Sequence, residues 1–413
     1  MRIVQSTALD YREKTIMAGT RKHNLRTVEV NREDFNKKLK NHRRRVGVLV
    51  IFVLALLASA AIAAYIYFEN KVYTGYDVVS SIKRTDTSAP GFANFQGRLL
   101  KYTNDGALYT NLDGGLIWNQ TYEMDEPRLE MQGNYVAIYE LNGTQVYILD
   151  TVNLQGSIKT TMPIQKVSIA SQGVVAILME NDGTSYLQVC DRTGNELASG
   201  ELHVQNSGYP MDIALSEGGE KLAVSMLDIS GGSVKTVIAF YNFGTVGQSS
   251  IDNIVSSYSY ADVVIPRIRY LSQDTMAAFG DDRVILFTGA QKPAEGKTIE
   301  LADEVKSIFY DQKHFGLVYD GGSGGKDHRL ELYDLSGEQR MKIDFETEYT
   351  DIELLANGEI CILGEDSCEI FNKKGICKFQ HQFQNYLYKV IPGNSQISYT
   401  FILEGESQRV KLK

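Results

Sequence analysis

From about residue 75 onward, short runs of alternating apolar and polar residues are separated by turn dipeptides. Asn104-Asp105-Gly106, Asn142-Gly143 and Asn181-Asp182-Gly183 each stand between strand-like flanks, the pattern of a β-hairpin. The alternation predicts an all-β region, and within it two features recur. The first is an alternating strand, a polar turn and a more continuously apolar strand. It starts at Phe92, Arg128, Lys166, Met211, Ile268, Lys306, Asp351 and Tyr388, which gives eight copies. The second is an apolar strand followed by Asp or Asn and a turn closed by glycine, as in Leu112-Asp113-Gly114-Gly115, Cys190–Gly194, Tyr333–Gly337 and Phe371–Gly375. The carboxylate or amide caps such a turn and glycine takes the positive φ.

Each unit therefore supplies four strands, the signature of a β-propeller. Gly75–Lys413 spans 339 residues, about 42 per unit for eight blades and about 48 for seven, and both lengths suit a propeller blade. Counting the starts favours eight, with seven as the alternative. The last unit lacks a fourth strand, while residues 76–84 form a strand with no unit of their own. Pairing the two closes the ring and removes an exposed edge.

Upstream the pattern changes. Val46–Phe68 is an uncharged apolar run of 23 residues, about 35 Å as a helix and enough to cross a hydrocarbon core of about 30 Å. It is too long for a cleaved signal's apolar region and lies too far from the N-terminus, although Ala58-Ser59-Ala60 has cleavage-like spacing. The expected organisation is a basic tail (1–45), a transmembrane helix (46–68), a linker (69–75) and a propeller (76–413). Within the tail, Asn31, Glu33 and Asp34 read as a helix start, and Phe35, Leu39, His42 and Val46 recur at helical spacing. Residues 1–30 show no periodicity.

Charge orients the span. Residues 1–45 hold thirteen Lys/Arg against five Asp/Glu. Lys37, Lys38, Lys40, Arg43, Arg44 and Arg45 crowd the approach to the apolar run, whereas only Lys71, Lys83 and Arg84 follow it closely. Basic residues stay on the cytoplasmic side, so the tail is expected inside and the propeller outside the plasma membrane. The whole chain carries −9 and the tail a surplus of eight, leaving −17 for the rest. A domain that acidic repels phosphate backbones, which argues against nucleic acid as a partner.

The Asp-x-x-Gly turns after apolar strands resemble the repeat of the PQQ-like quinoprotein propellers, with Leu112–Trp118 the nearest copy. The whole plan of basic tail, one span and propeller resembles an uncharacterised family of membrane-anchored propellers, PQQ-like or WD40-like in their repeats, from Gram-positive bacteria. That resemblance implies a fold and a location but no activity. Quinoprotein repeats characteristically end in tryptophan, and Trp118 is the only tryptophan here.

Chemistry is sparse. His203, His314, His328 and His381 fall in different repeats and form no metal-binding motif. Asp281-Asp282, and Asp320 and Asp327 around Gly321–Gly325, lack the spacing of a calcium or phosphate loop and read as hairpin tips. Cys190, Cys361, Cys368 and Cys377 are too few for a disulfide scaffold. They read as packed thiols, with a bridge between Cys361 and Cys368 across a turn as the lesser reading. The sequons at Asn119 and Asn142 read as chance. No catalytic, cofactor-binding or metal-ligating residue is expected, and no cofactor. The leading function is a binding or scaffold module for a protein or cell-envelope polymer. The alternatives are an extracytoplasmic enzyme (a quinone-dependent dehydrogenase or a glycan-cleaving propeller) and a single-pass ligand sensor.

Overall fold

The computed structural model describes residues 32–85, 91–202, 208–230 and 232–413. The chain divides into two units after Phe68. In the first, Arg32–Glu69 forms one unbroken helix rich in Ala, Leu, Lys and Arg and free of proline. Within it Asn36–Tyr67 is long and apolar enough to cross a membrane. At 1.5 Å per residue the whole helix is about 57 Å long, so it outruns a hydrocarbon core of about 30 Å. The basic approach and the apolar run are thus a single rod. Asn31 and residues 1–30 lie outside the described residues.

The second unit, Glu69–Lys413, folds into eight four-stranded antiparallel sheets. Blades 1 to 7 span 91–121, 127–159, 164–202, 209–261, 267–300, 305–345 and 351–382. Blade 8 takes three strands from 387–412 and its fourth from Tyr76–Lys83. First strands of blades 2 and 3, 3 and 4, 4 and 5, 6 and 7, and 8 and 1 touch one another, so the ring closes with these strands innermost. Strands are lettered A to D outward. Every inner strand begins within two residues of a start read from the sequence.

The eight hydrophobic clusters correspond one to one with the eight interfaces between successive blades. This follows from period-two alternation, in which successive side chains of a strand point to opposite sheet faces and each face meets a different neighbour. The interfaces are unequal. Blades 7 and 8 share an extensive core around Phe379, Tyr399 and Phe401. Blades 8 and 1 bury only Phe92, Leu99, Ile391 and Ile402 completely enough to form a cluster.

The turn between strands C and D carries the capping chemistry. Asp191 accepts hydrogen bonds from the backbone N–H groups of Thr193 (2.8 Å) and Asn195 (2.9 Å), and Gly194 sits at φ +91°. Asn372 does the same for Lys374 and Ile376, with Gly375 at φ +77°. In blade 1 the equivalent residue is Asn111, whose carbonyl and N–H close the turn onto Gly114 and Gly115. The sequence reading placed the cap two residues later at Asp113, which instead accepts from the Gly115 N–H at 3.2 Å. Every C–D pair contains a register shift. Such bulges bend the outer strand away from edge-to-edge pairing.

At the closure, Tyr76–Lys83 pairs with Glu406–Leu412, Tyr76 opposite Leu412 and Lys83 opposite Glu406. Just before it, Tyr73 is buried, bridges Phe379 of blade 7 and donates its N–H to the Lys378 carbonyl at 2.8 Å. The chain therefore stitches blade 7 to blade 8 before completing the latter. Beneath the stitch lies a buried polar cluster. Lys378 donates to Glu359 at 2.5 Å and to the Tyr399 hydroxyl at 2.9 Å, and Tyr399 in turn donates to Glu359. On the far side Arg84 donates to the Leu403 carbonyl at 2.6 Å and lies over the Phe92 ring of blade 1. All four cysteines are free. Cys361 pairs in register with Ile370 and Cys368 with Leu363, so the two thiols are offset rather than opposite.

Candidate functional site

The innermost strands present charge to the lumen. Lys166 of blade 3 lies 3.7 Å from Glu130 of blade 2 and 3.5 Å from Asp212 of blade 4. Arg269 of blade 5 donates to Glu130 at 2.7 Å. A bond between inner strands three blades apart in a ring of eight can be made only across the lumen. Arg269 also sits 5.1 Å from the Tyr310 ring centroid of blade 6. Burial pushes the Asp212 carboxyl above the usual carboxylate range, against the pull of Lys166 and the Ile268 N–H. On the other side of the ring, Lys389 of blade 8 bridges Glu353 (2.5 Å) and Asp351 (3.2 Å) of blade 7. Burial raises Glu353 as well, with Lys389 opposing. Glu130, Lys166, Asp212 and Arg269 thus form a septum of paired charges, and Lys389 with Glu353 and Asp351 forms a second charged cluster on the inner strands.

On the face formed by the A–B and C–D turns, a cavity of about 960 Å³ descends to Arg269 and Tyr310 between blades 1, 2, 5, 6 and 7. On the opposite face, formed by the D–A connections and B–C turns, two cavities of about 590 and 890 Å³ adjoin through Tyr349 and Thr350. Together they make a groove over blades 5 to 7. It runs from Arg267, Ser307 and Asp351 at the channel mouth to Glu365, Asp366 and His381 at the outer strand of blade 7. Asp281, Glu304, Glu348, Asp351, Glu365 and Asp366 line it against only Arg267 and Lys306. The Ser307 and Tyr349 hydroxyls share a hydrogen bond of 2.8 Å on its wall. The groove can therefore hold a cationic or hydrogen-bond-rich segment and disfavours a polyanion.

Several residues singled out in the sequence meet on this side of the ring. Asp281 lines the groove and accepts the Val264 N–H, whereas Asp282 is engaged with Arg283 through two bonds of 2.8 Å. Asp320 pairs with Lys306 at 3.4 Å, and Gly321–Gly325 belong to the B–C turn of blade 6. His328 is packed between Phe345 and Tyr349, with Asp320 3.5 Å away. His381 stands among Tyr76, Phe379 and Phe383, where burial lowers its pKa. His314 lies on the opposite face beside Asp311, and His203 lies outside the described residues. Among the described residues, His314, His328 and His381 are thus not brought together. Among the described residues no group of His, Cys, Asp and Glu is arranged to hold a metal ion. Lys37, Lys38, Lys40, Arg43, Arg44 and Arg45 are solvent-exposed on the first two-fifths of the helix.

The sequence reading missed the septum. The signal of the septum and of the second cluster was a charged residue inside the apolar alternation of the inner strands of blades 2 to 5, 7 and 8: Glu130, Lys166, Asp212, Arg269, Glu353 and Lys389.

The fold is shared with solved propellers at low identity. The C-terminal WD40 domain of Sif2 superposes with a TM-score of 0.54 at 10% identity, covering 83% of this chain and 99% of that one. BamB from Moraxella catarrhalis gives 0.45 at 13%, covering 82% and 100%. Sqt1 from Chaetomium thermophilum gives 0.49 at 11%, covering 82% and 99%. No curated protein matches the sequence. A family model matches residues 69–412, the whole propeller with the segment that stitches it shut, and the chain belongs to that family, the family of unknown function DUF5711.

Proposed function

We propose that this chain is a single-pass membrane protein whose propeller serves as a binding or scaffold module for a protein or cell-envelope ligand. The observation that carries the reading is the groove on the D–A face. It is large enough for a peptide segment or a polymer chain, is lined by opposed hydroxyls and carboxylates, and is held by three blades of a closed ring. Anchoring is supported by the helix that is long and apolar enough to cross a membrane. The basic cluster Lys37–Arg45 before the apolar run supports a cytoplasmic N-terminus and an extracytoplasmic propeller at the plasma membrane. The assignment to a Gram-positive cell surface rests on the resemblance of the overall plan.

The test is site-specific photo-crosslinking of the full-length protein in intact cells. A crosslinker at Thr350 is expected to capture a discrete partner, and Glu348→Lys with Asp366→Lys to abolish that capture. A crosslinker at Gln188, on the outer part of blade 3, should not capture it. Identical capture from both positions, or capture indifferent to the charge reversal, would refute the groove as the contact surface. A membrane-impermeant thiol reagent added to intact cells should label Ile229→Cys; protection until lysis would refute the orientation.

A further inference from the structure

Among the described residues, the large apolar side chains that the propeller leaves in solvent gather most densely where outer strands leave the C–D rim of five consecutive blades, while Leu108, Tyr209, Ile229, Val234 and Tyr386 are exposed elsewhere. Val78 on blade 8 is 49% exposed, Leu116 on blade 1 is 60%, Leu154 on blade 2 is 43%, Leu197 on blade 3 is 59% and Ile254 on blade 4 is 38%. All lie within the first three residues of their strands. The long C–D connection of blade 4 adds Ile251 at 86% exposure. Blades 5, 6 and 7 begin the same strand with Ala294, Gln339 and Cys377, so the arc stops abruptly. A contiguous display of aliphatic residues on one rim is the mark of a contact surface rather than of ordinary surface composition.

We infer that this arc of the C–D rim, from blade 8 round to blade 4, rests on the surface of a phospholipid bilayer. Two observations select lipid over a protein partner. First, the covalent path from the apolar helix reaches the propeller on this same rim. Only residues 70–72 separate the end of the helix at Glu69 from Tyr73, which is fixed against Phe379. Four residue steps of extended chain reach about 14 Å at most. Second, the contact offers aliphatic side chains with little polar specificity, which suits a fluid apolar boundary better than a shaped partner. The turns of blades 1 to 4 carry Asp113, Asp150, Asp191 and Asp252 against Arg192, and at the blade 8 corner Lys413 is paired with Asp77 while Lys71 lies over the Tyr73 ring. The arc thus has no surplus of basic residues, and the contact is made by apolar side chains and not by attraction to anionic headgroups.

The inference rests on the membrane-anchored reading above, and the experiment separates the two. The full-length chain, with Cys377→Ser to remove the half-buried thiol, carries a single environment-sensitive label at Leu116→Cys, Leu197→Cys, Ile229→Cys or Leu54→Cys. Each is reconstituted into phosphatidylcholine vesicles with or without phosphatidylcholine spin-labelled high on its acyl chain. Labels at 116 and 197 should be quenched several-fold more than at 229, which lies on the opposite face. Replacing part of the lipid with an anionic one should not increase that quenching. Quenching at 54 with none at 116 or 197 overturns the lipid contact and leaves the anchor standing. No quenching at 54 overturns both. Shielding of 116 and 197 from aqueous iodide that is independent of lipid and lost on dilution assigns the rim to a second copy and overturns the inference.

Discussion

Removing the Lys378 ammonium tests the seam between blades 7 and 8. Lys378 and Glu359 are 5% and 8% exposed and 2.5 Å apart. At an effective dielectric of 20 their attraction is roughly 6–7 kcal/mol, offset by several kcal/mol of desolvation for each ion, so the intact pair lies near break-even. Lys378→Met leaves the Glu359 carboxylate buried, held only by the Tyr399 hydroxyl and the Asn357 amide. The cost of stranding a buried charge is about 3–5 kcal/mol. With unfolding entropy of about 2.1 cal/mol/K per residue over Glu69–Lys413, that lowers Tm by about 4–7 °C. Lys378→Met/Glu359→Gln removes the stranded charge while keeping an amide for Tyr399, and should recover most of the loss. Thermal unfolding followed by circular dichroism on the wild type, both singles and the double closes the cycle. A single variant that melts within about 1 °C of wild type, or a double whose loss is the sum of the singles, would refute the assignment of the seam to this pair.

Other outcomes follow from the same structure. Burial lowers the His381 pKa below its ordinary value of 6.5. A depressed folded pKa gives stability that is complete above the unfolded value and declines as pH falls through the folded one. Tm should therefore drop more steeply for wild type than for His381→Phe between about pH 6.5 and 5, and parallel curves would count against it. Burial pushes the Cys190 and Cys377 thiols up to about 11. At pH 8 the native protein should then react with iodoacetamide about a hundredfold more slowly than the unfolded chain, in which all four thiols react; fast native labelling of Cys190 would contradict its packing. Deleting residues 1–68 should leave the propeller's melting unchanged. Deleting 1–83 should expose the Glu406–Leu412 edge and cause self-association on size exclusion; equal behaviour would mean that blade 8 needs no fourth strand. Glu130→Gln weakens the ionic partner of the partly buried Arg269 and should destabilise by about 2 kcal/mol, read as a lowered Tm.

How much of this was legible depended on distance along the chain. Hairpins and C–D turns are local, so Asp191, Asp334 and Asn372 with their glycines announced the blade rhythm, and eight starts could be counted. The fourth strand of blade 8 was readable because a leftover strand at one end matched a vacancy at the other. The cap of blade 1 was misplaced from Asn111 to Asp113 because two candidate side chains flank one glycine pair and only geometry chooses between them. The Cys361–Cys368 register depends on the length of the Gly364–Asp366 turn, which spacing alone does not reveal. The charged septum and the groove were beyond reach for a different reason. Glu130 and Arg269 are 139 residues apart, and nothing in either strand states that the ring brings them face to face. Nothing in the local pattern marks Lys378 as buried, since burial of its ammonium depends on Glu359 from a turn and Tyr399 from the next blade.

Blade 8 also dictates an order of events during synthesis. Tyr76–Lys83 leaves the ribosome well before its partner Glu406–Leu412, which is made some 325 residues later along the chain. Until Glu406–Leu412 has been made the nascent propeller is a horseshoe with an unpaired strand at its first end. Joining the ends then incurs the loop-closure entropy of nearly the whole domain in one step. The small cluster between blades 8 and 1 suits that role, because the gap that must close last is the one with the least to bury. A chain lacking Glu406–Leu412 would leave Tyr76–Lys83 and Ser398–Leu403 each with an open edge.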